Sequence, residues 1–336
     1  MPRPFAFEQL SLLASNDEER DKLLELSSAE GVDLYHDYVY REKRGWWEVL
    51  TDFASLRVPL GRLIALLPRL QPRAFSIASP PPLWPRPGVP TSASVATPAP
   101  PPLLELCVAV VEYKTRYGRT KRGVCSSWLA ARSPFTSSPV VAAAPASALV
   151  PIWIRPGTFP KAAVSSPAVP VVCIGPGTGV APMRSIIFAR FHARAAAAAQ
   201  NLSVAPPQPP DMLFFGCRHA AKDFLFGADF QAIAALQQVG VSPLALHCAF
   251  SRDEAAPGGG RLYVTHRLAA AGAGVWAALA AGGAVLVAGS AGQMPKDVHT
   301  ALVKVVQEHG GFDAKDAADF LRHLERAGRY SVEAYG

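Results

Sequence analysis

Three glycines at alternate positions, Gly175, Gly177 and Gly179, break an apolar run at residues 171–174 and lead into Pro182 and a segment with helical character. Glycines so spaced let the backbone take positive φ and let a bulky anion approach the amides, and the helix that follows adds unpaired N–H groups and a positive dipole end. That is the chemistry of a phosphate cradle. The spacing is not G-x-G-x-x-G, because the last glycine of that pattern falls on Val180. Pro182 stands just inside the helix, where a missing N–H costs little. Taken alone, the turn reads equally well as a tight connection between strand and helix.

A second candidate cradle is Gly123, Val124, Cys125 and Ser126, where a glycine and small polar residues lead into a helical stretch. Downstream, Arg218, Ser251, Arg252 and Arg261 lie on or close to segments that follow predicted strands. A hydroxyl beside a planar guanidinium suits a phosphate monoester, the group that separates NADP from NAD.

The elements that must carry these residues come from the hydrophobic pattern. Strands are predicted at 171–174, 212–215, 244–250, 285–288 and 330–333, and helices at 182–199, 226–238, 263–271, 295–310 and 314–327. Such alternation predicts a five-stranded parallel sheet with helices on both faces, whose ligands gather beyond the carboxyl ends of the strands. Ahead of it, 1–70 reads as a small helical piece, with Asn16 and the acids after it as a capped start, and with further helices at 33–43, 46–55 and 59–67. Short strands are predicted at 72–79, 103–113 and 150–154, making 71–165 a partial antiparallel barrel interrupted by proline-rich insertions at 80–102 and 133–145. The third region is 166–336.

Composition narrows the function. The 336 residues carry a net charge of +7, yet the basic residues are scattered rather than run together, which disfavours nucleic acid as a partner. Five cysteines without a C-x-x-C pair give no metal site and fit a reducing compartment. No signal peptide or membrane-spanning run is evident, so a cytoplasmic, membrane-free protein is expected.

As an ordered set, Arg73-Ala74-Phe75-Ser76, Gly123-Val124-Cys125-Ser126, Gly175 to Pro182, Phe215-Gly216-Cys217-Arg218, Ala249 to Asp253 and Tyr330 to Tyr335 resemble the ferredoxin-reductase-like half of NADPH-dependent diflavin reductases. Within that family the pattern is most similar to the cytosolic diflavin reductase of iron–sulfur cluster assembly. The resemblance implies FAD and NADPH as cofactors. Arg73 and the Gly123–Ser126 amides would hold the FAD pyrophosphate, Phe75 would stack on the flavin, and Ser76 would hydrogen-bond near the atom that receives the hydride. Gly177, Thr178 and Arg218 would hold the NADPH pyrophosphate, and Ser251, Arg252, Arg261 and Tyr263 the 2′-phosphate and adenine. Glu333 would stand near the nicotinamide, and Tyr335 would shield the flavin until hydride transfer.

Three positions depart from the family pattern: Phe75 replaces a tyrosine, Ala288 a cysteine and Tyr335 a tryptophan. Nothing before Phe5 supplies an FMN domain or the early barrel strands, so the sequence reads as N-terminally truncated, with FMN present only if a further domain exists. The expected activity is electron transfer from NADPH through FAD toward an FMN domain or a protein acceptor, an iron–sulfur assembly protein by the resemblance. The competing expectation is a non-catalytic NADP-binding module that no longer holds FAD.

Overall fold

The computed structural model describes residues 1–80, 104–132, 150–161, 164, 166, 168–199, 209–235 and 244–335. Apart from Pro80, the proline-rich insertions at 80–102 and 133–145 lie outside the described residues. The chain divides into two compact units, Met1–Ala74 with Ala109–Pro151, and Phe75–Val108 with Ile152–Gly336.

The first unit is mainly helical. Helix α1 spans Pro4–Ser11 and α2 Asp17–Ser27; Asn16 caps α2 by accepting from the Glu19 amide at 2.9 Å, and Asp17, Glu18 and Glu19 complement the dipole of its first turn. The helix expected at 33–43 is present as α3, Val32–Tyr35, continued by a π-helical turn, His36–Arg41. Helices α4, Trp46–Asp52, and α5, Leu60–Leu66, follow. Phe7, Leu10, Leu23, Leu26, Val39 and Val49 form the buried core.

Strands β1, Glu112–Lys114, and β2, Thr120–Arg122, make an antiparallel pair that runs into α6, Val124–Ala130. The loop between them is anchored by Glu42, only 2% exposed, which accepts from the Thr115 hydroxyl at 2.6 Å and the Tyr117 amide at 3.1 Å. Glu48 adds ion pairs to Arg119 and Lys121. The predicted strand at 72–79 is reduced to a single antiparallel bridge, Ile77 with Leu106, and that at 103–113 to this bridge and β1. Residues 150–154 form no strand; they are exposed. Apolar alternation marks these segments, yet a strand also needs a ladder partner, and among the described residues those partners are few.

The second unit is the predicted parallel sheet. Its strands are β3, Val171–Ile174, β4, Asp211–Cys217, β5, Leu244–Phe250, β6, Ala284–Ser290, and β7, Tyr330–Tyr335, arranged β5-β4-β3-β6-β7. The chain moves outward from β3 to β5 and then crosses back to β6, so the sheet reverses direction between β3 and β6. Ligands of such sheets sit beyond the carboxyl ends of the strands at that reversal.

Alternation along β3 feeds two cores. Val172 and Ile174 pack on one face against α10, Val264–Ala270, α11, Gly272–Ala280, α12, Met294–Gly310, and α13, Ala314–Arg326. Val171 and Cys173 face α7, Val180–Ala199, and α9, Gly227–Ala235. A short α8, Ala220–Asp223, follows β4. Helix α11 went unpredicted because its residues are nearly all glycine, alanine or large apolar, leaving no polar face to show a period. Gly282, at φ 85°, then turns the chain from α11 toward β6.

At the opposite, amino end of the sheet Asp211 is 2% exposed. It accepts from the Val171 amide at 3.0 Å, from Arg190 Nε and Nη2 at 2.9 Å each, and from Arg194 at 2.7 Å. Arg190 also donates to the carbonyls of Ser166 and Val169. Buried charges so fully bonded fix α7 against the entry to β3 and β4, and hence fix the turn at the other end.

Candidate nicotinamide dinucleotide site

The glycine turn occupies the reversal point. Gly175 donates to the Phe214 carbonyl at 3.0 Å, and Gly177–Gly179 form one 3-10 turn before α7 begins at Val180. Each glycine has its own reason. A Cβ on Gly179 would lie 2.1 Å from the Ala288 carbonyl oxygen, and one on Gly175 would lie 2.7 Å from the Gly179 carbonyl oxygen, so both permit close backbone packing. Gly177 instead takes φ 56° and has nothing within 4 Å of the Cβ position. The open space beside a left-handed residue, ahead of a 20-residue helix, fits an anionic group. Pro182 lies in the first turn, where no intrahelical acceptor waits for its missing N–H.

The next strand exits stand alongside. The Arg252 amide donates to the Arg218 carbonyl at 2.9 Å, and both arginines line a pocket of about 320 Å³ with His219, Lys222 and Asp223. Arg218 is paired with Asp223 at 3.2 Å, yet its side chain is 72% exposed. Ser251 donates its hydroxyl to the Cys217 carbonyl at 3.3 Å. Asp253 joins the exits of β4 and β5, accepting from the Ala220 amide and lying 2.7 Å from His219 Nδ1. The amide and His219 hold its carboxyl below the usual range. Arg261 is exposed and closes a loop by a bridge to Ala255, while Tyr263 is half exposed and stacks its ring against His266. Three cationic side chains on one rim suit a phosphate ester and diphosphate.

Across the reversal, Glu333 of β7 pairs in register with Ala288, the buried alanine at the expected cysteine position. The Glu333 carboxylate accepts from the Thr158 amide at 3.0 Å and from the Thr158 hydroxyl. Tyr335 pairs in register with Ser290, and Thr178 draws the pKa of its phenol down. Burial pushes that phenol above its ordinary pKa and outweighs the threonine, so it stays protonated at neutral pH.

The expected FAD residues are spread over both units. Arg73 is exposed in the first, with its guanidinium on the Gln71 carbonyl. Gly123 precedes α6, and its own amide is taken by the Val111 carbonyl at 2.8 Å. The Ser126 hydroxyl is buried, accepting from the Val111 amide at 3.1 Å. The amides of Val124, Cys125 and Ser126 lie in the first turn, beyond the reach of intrahelical carbonyls. Phe75 and Ser76, both partly buried, open the second unit's first segment. These donors and the aromatic ring suit a flavin dinucleotide in kind.

Sequence reasoning grouped the segments after the first four strands on one rim, with Gly175 to Thr178, Arg218, Ser251 and Arg252 among them, and these segments do follow β3, β4 and β5 of the one parallel sheet. It missed His219, Lys222 and Thr158. Lys222 and His219 carried a signal, since both fall within a few residues of Arg218 after the same strand; Thr158 is 175 residues from Glu333 and carried none.

The five-stranded parallel sheet with its glycine turn, preceded by a helical piece and a small antiparallel pair, is the architecture of the ferredoxin-reductase-like FAD- and NAD-binding oxidoreductase class. The FAD binding domain family matches residues 1–87, and the oxidoreductase NAD-binding domain family matches residues 173–300. Over 340 residues the chain is 36% identical to NADPH-dependent diflavin oxidoreductase 1 of Danio rerio, covering 100% of this chain and 49% of that protein. The Arabidopsis thaliana protein of the same name is 37% identical over 338 residues, covering 99% and 47%. NADPH–cytochrome P450 reductase of Oryctolagus cuniculus is 34% identical over 342 residues, covering 99% and 44%. The chain carries matches to an FAD-binding and an NAD-binding oxidoreductase domain, is similar over its whole length to these reductases, and spans about half the length of the relatives it matches. Among the described residues no helix is long and apolar enough to cross a membrane.

Proposed function

We propose that this chain is the NADPH-oxidising, FAD-reducing half of a diflavin reductase, delivering single electrons toward an FMN domain or a protein acceptor. The observation that carries the reading is the convergence of the Gly177 turn, the Arg218–Arg252 pocket and Tyr335 on one rim of the parallel sheet. FAD, when bound, takes a hydride from NADPH and gives its electrons up singly, chemistry that no side chain supplies.

The side chains bind, orient and exclude. Gly177 offers the diphosphate a cleft without a Cβ in the way, and Thr178 adds a hydroxyl beside it. Arg218 pairs with the diphosphate, and Arg252 and Lys222 select the 2′-phosphate, with Ser251, Arg261 and Tyr263 around the adenosine end. Glu333, held by Thr158, presents a carboxylate beside the nicotinamide position, and Tyr335 covers the flavin until the nicotinamide displaces it. Arg73 and the amides of Val124, Cys125 and Ser126 neutralise the FAD diphosphate, Phe75 stacks on the flavin and Ser76 offers its hydroxyl to the flavin edge. Phe75 retains stacking without the usual tyrosine hydroxyl, and Ala288 leaves the nicotinamide pocket without a thiol.

The names of the relatives support NADPH as donor. An iron–sulfur assembly protein as acceptor and a cytoplasmic location rest on the motif resemblance. Calorimetry tests the reading: tight NADP⁺ binding, weak NAD⁺ binding and FAD binding support it. The small extent of strand among the described residues of the FAD-binding part favours a second reading, a nucleotide-binding module without flavin, for which NADP⁺ binds and FAD does not.

A further inference from the structure

Arg184 is a charged residue in a place where charge is costly. It follows the glycine turn in the first turns of α7, and its side chain is only 11% exposed. Nη1 donates to the Ala78 carbonyl at 3.0 Å and to Glu105 at 2.6 Å, while Nε and Nη2 each lie 2.8 Å from one oxygen of Asp229. The rings of Phe188 and Phe226 cover the guanidinium at 4.9 Å and 4.6 Å. Next to it, the Ser185 hydroxyl donates to the Ser79 carbonyl at 2.9 Å.

Two consecutive residues of α7 therefore clasp two consecutive carbonyls, those of Ala78 and Ser79, both of which are fully buried. Other ties of the clasped segment include the Ile77–Leu106 bridge, the Ala78 amide donating to the Glu105 carbonyl at 2.8 Å, and the Ser79 hydroxyl accepting from the Glu105 amide at 3.1 Å. A second and independent observation concerns Phe226, which stands at φ 56°. A bulky side chain tolerates that backbone only where its surroundings over-determine it, and here the strained residue supplies one lid of the guanidinium.

A general ion pair would fix α7 to any neighbour. This one fixes α7 to the segment that begins with Phe75 and Ser76, directly after the turn that holds the dinucleotide. We infer that Arg184 is a positioning residue: it sets the place of the Phe75–Ser79 segment against the Gly175–Gly179 turn, and so the approach of the two cofactors. The inference rests on the reading of Phe75 and Ser76 as flavin contacts.

The test compares the chain with Arg184→Met, Arg184→Lys and Ser185→Ala by hydrogen exchange without cofactor and by calorimetry with FAD and NADP⁺. In Arg184→Met the amides of Ser76 to Ser79 are expected to exchange about tenfold faster, with those of β3 unchanged. FAD affinity should fall about tenfold while NADP⁺ affinity stays within about twofold, and lysine should restore part of the loss. Ser185→Ala, the milder cut, should move the same amides in the same direction. Unchanged exchange at Ser76 to Ser79 overturns the inference, as does a uniform rise across the sheet with loss of both ligands, which would make Arg184 a fold residue only. If the unaltered chain binds NADP⁺ but no FAD, the flavin reading fails; the exchange arm, measured without flavin, still decides the clasp.

Discussion

Tyr335, the last residue of the edge strand β7, pairs in register with Ser290 at the carboxyl end of β6, and Thr178 of the glycine turn draws the pKa of its phenol down against burial. Tyr335 thus stands on the rim where a dinucleotide would lie. Removing the ring frees that surface. Tyr335→Ala is expected to tighten NADP⁺ binding about tenfold and to narrow the preference for NADPH over NADH, both readable by calorimetry.

Arg252 and Arg218 face a common pocket from successive strand exits. Each guanidinium that pairs with a phosphate ester contributes on the order of 1.5–3 kcal/mol. Arg252→Ala should therefore raise the Kd for NADPH by about ten- to a hundredfold while leaving the Kd for NADH nearly unchanged. Lys222→Ala should act in the same sense and less strongly, because lysine offers a point charge without a fork.

Gly177 and Gly179 are two residues apart and should fail differently. Gly179→Ala drives a methyl into the Ala288 carbonyl, so it should lower the thermal midpoint as the β3–β6 contact opens. Gly177→Ala meets no neighbour, and its cost is the left-handed backbone, about 1 kcal/mol. That variant should fold and lose NADP⁺ affinity, as thermal melting paired with calorimetry would register.

How far the sequence disclosed this arrangement depended on the kind of signal. Val171 to Ile174 and the strands from residues 212, 244 and 285 were legible because parallel strands inside a sheet read as short apolar runs ended by glycine or polar residues, whereas the edge strand from Tyr330 was marked by its motif. The rim followed from strand order alone, which is why Arg218, Ser251 and Arg252 could be grouped before any coordinates. Segments 72–79 and 150–154 misled because apolar alternation alone does not make a ladder: 150–154 is exposed and unpaired among the described residues, and 72–79 keeps a single bridge. Arg184 was illegible: a lone arginine on a helix carries no mark of the carbonyls and carboxylates that receive it from residues 78, 105 and 229. Thr158 was hidden for the same reason.

Burial and the nearby Arg267 hold the His247 imidazole below its ordinary pKa. Its ring lies 4.6 Å from that of Phe214, stacked at 11°. With the folded pKa below the unfolded one, the unfolded chain takes up the proton first as pH falls. Stability should drop as pH falls from about 6.5 toward the folded pKa and level off below it. His247→Phe keeps the stack and removes the titration, so the thermal midpoint of the variant should exceed that of the parent by a margin that grows between about pH 7 and about pH 5.

The most direct test of the central claim is an anaerobic titration of the FAD-loaded chain, following the visible flavin absorbance as NADPH is added. Stoichiometric bleaching by NADPH, with NADH far slower, is the expected result. Bound flavin that NADPH leaves coloured, or a chain that retains no FAD while binding NADP⁺ tightly, would contradict it.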